Sequence, residues 1–136
     1  MRLARVRRWR VGFVALLALA ACTGPNHGKW AGTFEGSVSG VMKFEISVFG
    51  GRLSGTLEGS TAEGQPFSAK LQGRLRGQSF YAVLSGASQA GLLRIPFEGL
   101  MKGDLADGKG GGDWTAQLKP SGERLAGTWT AEQVRE

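Results

Sequence analysis

The stretch "VMKFEISVFGGRLSGTLEG", residues 41–59, decides the fold. Met42, Phe44, Ile46 and Val48 alternate with Lys43, Glu45 and Ser47, so a strand places the apolar set on one face and the polar set on the other. A helix would scatter both sets around its circumference. Gly50-Gly51 follows, and two glycines accept the positive φ angles of a two-residue hairpin turn. Leu53 and Leu57 then alternate with Arg52, Ser54, Thr56 and Glu58. The stretch reads as an antiparallel hairpin with one dry face and one wet face.

The same alternation recurs on both sides of it. Before it, residues 29–38 set Trp30, Phe34 and Val38 against Thr33, Glu35 and Ser37. After a loop through Gly64 and Pro66, Phe67, Ala69, Leu71 and Leu75 alternate with Ser68, Lys70, Gln72 and Arg74. Residues 79–85 contain FYAVL, which is apolar on both faces and leaves the orientation of that strand open. Residues 92–105 line up Leu93, Ile95, Phe97, Met101 and Leu105. A seventh strand carries Trp114, Ala116 and Leu118, and an eighth carries Leu125, Trp129 and Ala131, with Pro120-Ser121-Gly122 turning between them. No helical periodicity appears in the roughly 110 residues after the leader, enough for one domain.

Parallel pairing would need crossovers of about a dozen residues, and these connections are too short for that. The expected fold is therefore all-β: a single antiparallel meander of about eight strands, closed into an up-and-down barrel that leaves no sheet edge to aggregate. Pro96 argues the other way. It lacks a ladder donor in the middle of a strand and suits an edge or bulge, so a partly open roll or sandwich is the alternative. Gly32, Gly36, Gly55, Gly59, Gly73, Gly99, Gly103 and Gly127 fall in register with the large inward residues. Either they let a small filled barrel bend tightly, or they leave room for an apolar ligand. In the second case Trp30, Phe34, Phe44, Phe97, Trp114 and Trp129 are the side chains that would meet it.

The beginning of the chain has a different logic. MRLARVRRWR carries five arginines and no acid, and leads into the eleven apolar residues VGFVALLALAA. That is the layout of a secretory signal, and eleven residues are about half of what a membrane-spanning helix needs. Leu19-Ala20-Ala21-Cys22 resembles the lipobox of bacterial lipoproteins. That resemblance implies cleavage between Ala21 and Cys22, residues 1–21 as the discarded signal, and acylation of Cys22 with a diacylglyceryl thioether and an N-acyl chain. Several acyl chains make membrane attachment effectively permanent. Arg7-Arg8 suggests twin-arginine export, but Arg10 stands where that signal wants an apolar residue, which favours general secretion. Thr23 after the cysteine favours the outer membrane, facing the periplasm or the cell surface, because aspartate there is the inner-membrane retention signal of enteric bacteria. Residues 22–28 read as the acylated cysteine and its tether, and residues 29–136 as the barrel domain.

Cleavage also corrects the charge. The chain has 17 basic and 11 acidic residues, and loss of the signal's five arginines leaves twelve against eleven. The pI of about 10.1 thus belongs largely to the leader. A near-neutral domain lacks the concentrated basic surface that nucleic-acid binding requires. Cys22 is the only cysteine, so no disulfide or thiolate metal site is expected.

Catalytic residues are scarce. His27, the only histidine, lies in the expected tether, so a serine–histidine–carboxylate triad has no base in the domain. Glu35, Glu45, Glu58 and Glu98 all fall on the polar face, which is the exterior of a barrel and a poor place to raise a carboxyl pKa. The aspartates of "GDLADGKGGGDW", residues 103–114, depart from calcium-loop spacing, and this stretch reads as a glycine-rich mobile loop between the sixth and seventh strands. A membrane-spanning barrel is disfavoured because most of the strands read as shorter than the ~9–11 residues needed to cross a bilayer.

Gly28-Lys29-Trp30 is similar to the Gly-x-Trp signature of lipocalins, and Gly127-Thr128-Trp129 resembles the wider group of small barrels that includes avidins. The resemblance implies a tryptophan plugging the barrel floor, covered by an arginine for which Arg124 and Arg135 are candidates. The chain lacks the Thr-Asp-Tyr motif of that family and a helix after the last strand, so the resemblance speaks for architecture rather than for transport. Three functions follow in order of support: a lipid-anchored envelope module that binds or scaffolds an envelope protein, a carrier of a small apolar ligand, and a surface hydrolase. No cofactor is expected.

Overall fold

A computed structural model describes residues 27–135. They form eight antiparallel strands: β1 (His27–Gly36), β2 (Gly40–Phe49), β3 (Arg52–Thr61), β4 (Pro66–Arg76), β5 (Ser79–Ala90), β6 (Leu93–Ala106), β7 (Lys109–Leu118) and β8 (Arg124–Gln133). Each pairs with the next and β8 pairs back onto β1, closing the barrel. The partly open alternative does not occur. The signal, the Ala21–Cys22 junction and residues 22–26 of the tether lie outside the described residues, while His27 and Gly28, expected as tether, already belong to β1.

The register sets the dimensions. From Ser37, whose amide donates to the Ala126 carbonyl, the paired residues lead through Thr115, Leu100, Val83, Gln72, Ser54 and Ser47 to His27. That circuit moves from position 37 to position 27, a stagger of ten residues. With eight strands about 4.8 Å apart and a rise of about 3.3 Å per residue, this stagger tilts the strands by roughly 41° on a backbone radius of roughly 8 Å. Such an interior is just wide enough to be filled by side chains.

Every even-numbered inward residue of β2 meets odd-numbered inward residues of β3: Met42 with Gly59, Phe44 with Leu57, Ile46 with Gly55 and Val48 with Leu53. Met42 and Ile46 thus face glycines across the ladder, while Phe44 and Val48 face leucines. At Gly73 a Cβ would overlap the Tyr81 carbonyl and lie 2.7 Å from the Ala82 Cα. The inward glycines are therefore sites of close backbone approach in a tightly coiled sheet. Two of them do more. Gly112-Asp113-Trp114 on β7 and Gly127-Thr128-Trp129 on β8 are in reciprocal register, with Gly112 opposite Trp129 and Trp114 opposite Gly127. Trp114 crosses Gly127 and donates from Nε1 to the Glu35 carbonyl on β1 at 3.3 Å and to the Thr128 carbonyl at 3.1 Å. Trp129 reaches past β7 in the other direction and donates to the Lys102 carbonyl on β6 and the Asp113 carbonyl, both at 3.2 Å. Gly127 makes room for the Trp114 indole, whose Nε1 a Cβ there would approach to 2.8 Å, while at Gly112 a Cβ would run into the Lys102 and Gly103 backbone of β6.

Three expectations need correction. The "GDLADGKGGGDW" stretch is not a long loop: β6 runs to Ala106, β7 starts at Lys109, and only Asp107-Gly108 turns, with φ of 56° and 75°. These are the angles of a primed two-residue turn, for which Asp-Gly is a strong local signal. Strand lengths were also underestimated. They span 10 to 14 residues, long enough to cross a bilayer. What argues against a spanning barrel is polarity: Lys43, Glu58, Lys70, Lys102 and Asp113 are exposed on the outer wall while the interior is apolar, the inverse of a lipid-facing barrel. Finally, Pro96 occupies β6 without harm. A residue's N–H and C=O point to the same side of a strand, and the Pro96 carbonyl accepts from the Lys119 amide. The missing donor therefore faces the end of β7, where the ladder stops.

Strand β5 also resolves its ambiguity: Phe80, Ala82 and Leu84 are buried inside, and Tyr81 and Val83 point outward.

Candidate functional site

Of the ten aromatic residues described, eight lie inside the barrel, in two clusters. Trp30 stacks on Phe44 with ring centroids 6.0 Å apart, and Phe44 and Phe80 pack against Trp129 at 6.0 and 5.7 Å. With Ile46, Leu53, Leu71, Leu75 and Leu105 they plug the end of the barrel where β1 begins. The three turns at that end, Gly50-Gly51, Gly77-Gln78 and Asp107-Gly108, have two residues each. Phe34, Phe67, Phe97 and Trp114 form the second cluster, edge to face at 5.5 to 6.5 Å. This cluster lies towards the opposite end, whose connections include the longer loops 37–39, 62–65 and 119–123.

The second cluster does not fill its end. A cavity of about 220 Å³ opens there, walled by Phe34, Phe67, Phe97, Trp114, Ala116, Leu118 and Leu125 and floored by Met42, Leu57, Leu84, Met101 and Trp129. Its polar lining is Thr61, Gln65, Ser88 and Glu123. Gln65 and Glu123 are exposed in loops at the rim, and Thr61 and Ser88 sit near the ends of β3 and β5. Beside the mouth the β5–β6 hairpin stands above its neighbours, since residues 89–94 run past the last pairs Phe67–Ser88 and Phe97–Leu118. Leu92 and Leu93 at its tip are exposed.

The six aromatic candidates from the sequence divide between the two clusters. Phe34, Phe97, Trp114 and Trp129 border the cavity, whereas Trp30 and Phe44 belong to the plug and do not line it. The cavity takes further members that alternation alone did not single out: Phe67, Met42, Met101, Leu118 and Leu125. Their depth along the axis depends on strand tilt, which periodicity does not encode. Trp30 does sit on the floor, as the lipocalin resemblance implies, but Arg124 opens β8 at the opposite end and Arg135 is exposed. Neither is buried over the indole. The Trp30 Nε1 is buried without a hydrogen-bond partner.

The chemistry available to the cavity is limited. No polar or charged residue is buried among the described residues, and both the Trp114 and the Trp129 indole N–H are committed to backbone carbonyls. A guest would be held by apolar contact and shape, with hydrogen bonds only at the rim. The two methionines give the floor adaptable, polarizable surface. An apolar cavity of about 150 Å³ is already large enough to stay dry and take up a benzene-sized guest. Among the described residues no group of three or more histidine, cysteine or acidic side chains could hold a metal ion. Glu35, Glu45, Glu58 and Glu98 are exposed on the outer wall, and Lys119 pairs with Glu98 at 3.0 Å. Comparison with protein-family models, with curated proteins and with solved structures returns no match to this chain.

Proposed function

We propose that this chain is a bacterial envelope lipoprotein, held in the membrane by acylated Cys22, whose barrel is a non-enzymatic binding module for a small apolar group. The observation that carries the binding reading is the cavity of about 220 Å³ at one end of an otherwise filled barrel. A barrel built only as a scaffold has no reason to leave its apolar interior open to solvent, because each unfilled volume forfeits packing. A guest of roughly ring or short-chain size fits the space, such as the end of an acyl chain or a single aromatic ring. The leader, the lipobox-like Leu19-Ala20-Ala21-Cys22 and Thr23 support an outer-membrane location facing the periplasm or the surface.

The polar groups that line the cavity, Thr61, Gln65, Ser88 and Glu123, lie towards its rim, an arrangement suited to holding an apolar guest. Native mass spectrometry of the chain from residue 23 onward tests the binding reading. A co-purifying small molecule, or saturable uptake of medium-chain fatty acids with a change in tryptophan fluorescence, is expected. A polypeptide that stays empty against a panel of fatty acids and aromatic hydrocarbons would return the barrel to a scaffold role that docks an envelope protein through its outer wall.

A further inference from the structure

The plugged end of the barrel has an outer surface unlike the rest of the wall. Phe49, at the tip of the β2–β3 hairpin, is 91% exposed although it is one of the largest apolar side chains in the domain. It pairs with Arg52, Arg52 pairs with Arg74, and Arg74 pairs with Tyr81, so an aromatic, two arginines and a second aromatic form one row across four strands. Arg76 lies next to that row, at the end of β4. The remaining outward residues of this sector are Ser47, Ser54, Gln72 and Ser79, all exposed, and none is acidic. The nearest acids on the adjoining positions are Glu45 on β2 and Asp104 on β6. A patch of arginines between exposed aromatics, with no acid among them, matches the interfacial zone of an anionic bilayer, where aromatic rings sit at headgroup level and basic side chains meet lipid phosphates.

The position of this patch strengthens that match. His27 begins β1 at the same end and pairs with Ser47, two residues from Phe49. Only four residues separate His27 from Cys22, and the five residue-to-residue steps between them span at most about 17 Å. An acylated Cys22 therefore keeps the plugged end close to the headgroups and directs the arginine row toward them. The cavity opens at the other end, about 25 Å away along the axis for strands of ten residues tilted by roughly 41°.

We infer that the Phe49–Arg52–Arg74–Tyr81 row, with Arg76, is a membrane-contact surface for an anionic phospholipid bilayer, and that it holds the barrel upright with its mouth turned away from the anchoring membrane. This rests on the lipoprotein reading above. The guest then arrives from the aqueous compartment or the facing side of the envelope, and does not slide in from the membrane that carries the anchor.

The full acylated chain in vesicles of phosphatidylethanolamine and phosphatidylglycerol tests this. Acylation consumes the native thiol, so Ser79→Cys, beside the row but not in it, and Leu92→Cys each create a single labelling site for an environment-sensitive fluorophore. Spin-labelled lipids are expected to quench the label at position 79 several-fold more strongly than the label at position 92. Converting Arg52, Arg74 and Arg76 together to glutamate is expected to remove most of that difference while the chain still floats with the vesicles. Equal quenching at the two positions, or stronger quenching at 92, on chains that remain acylated overturns the orientation alone. If the unsubstituted chain takes up the fluorophore at Cys22 and does not float, the anchor fails and the orientation falls with it.

Discussion

Replacing Gly73 with alanine tests the steric basis of the barrel. The added Cβ would overlap the Tyr81 carbonyl oxygen and stand 2.7 Å from the Ala82 Cα, whereas carbon atoms in contact prefer about 3.5–4.0 Å. Strand β5 must then recede by roughly 1 Å, but its inward neighbours Phe80 and Ala82 and the β4 residue Leu71 are fully buried and have nowhere to move. Overpacking of this kind costs up to about 3 kcal/mol, and the reduced freedom of the unfolded alanine chain returns about 0.4–1 kcal/mol. The expected net loss is about 2 kcal/mol, roughly a 10 °C fall in melting temperature for a domain of this size. Gly111→Ala is the control. Gly111 lies outside the left-handed region, and its nearest contact, the Trp129 carbonyl at 3.2 Å, needs to give by only a few tenths of an ångström, so the change is expected to stay within about 1 kcal/mol of neutral. Urea unfolding followed by tryptophan fluorescence measures both variants. If Gly73→Ala unfolds at the same urea concentration as Gly111→Ala, inward glycines are not required by backbone approach.

Further outcomes follow from the same geometry. Trp129→Phe removes an indole N–H that serves two carbonyls as well as packed volume, and is expected to cost about 2–3 kcal/mol in urea unfolding. Trp30→Phe loses similar packed volume but removes a buried N–H that has no partner, which offsets part of that loss, so its net cost is expected to be about 1 kcal/mol, and equal costs for the two would refute the hydrogen-bond assignment. Ala116→Phe adds a ring to the cavity wall; it is expected to abolish uptake of a fluorescent fatty acid while the far-ultraviolet circular dichroism stays unchanged. Cys22→Ser is expected to abolish radioactive palmitate labelling and release the protein from membranes on fractionation, and persistent labelling would refute the acylation site.

Strand existence and facing were legible because a period of two separates Met42, Phe44 and Ile46 from Lys43 and Glu45 without help from distant contacts. Extent was less legible. β7 starts at Lys109, but Gly110, Gly111 and Gly112 carry no side chains to alternate, so the strand showed itself only from Trp114. The Asp107-Gly108 turn was available as a signal and was masked by the surrounding glycines. The reciprocal Gly-x-Trp motifs of β7 and β8 were also present in the sequence, though only the eight-stranded register brings Trp114 over Gly127. Membership of the cavity was the least legible part. Phe34 and Phe44 occupy equivalent alternating positions on their strands, yet one lines the mouth and the other plugs the floor, because height in a tilted barrel depends on a stagger that no single strand records.

That division along the axis separates stability from binding. The plug combines the most deeply buried large side chains, among them Trp30, Phe80, Ile46, Leu71, Leu105 and Trp129, with turns of two residues, and so ties β1, β2, β4, β5, β6 and β8 together where the chain has least freedom. The mouth is lined by half-buried residues such as Phe34, Phe67, Leu118 and Leu125 and is ringed mainly by longer loops, which places it among the elements that open at low free-energy cost. Trp129 belongs to both regions, since its ring packs with Phe44 and Phe80 while it borders the cavity floor. A guest resting on that floor touches a side chain already fixed by two hydrogen bonds, so occupancy need not reorganise the plug. Substitutions around the rim should therefore alter affinity at nearly constant stability, whereas changes at Gly73 should unfold the barrel before they alter its selectivity.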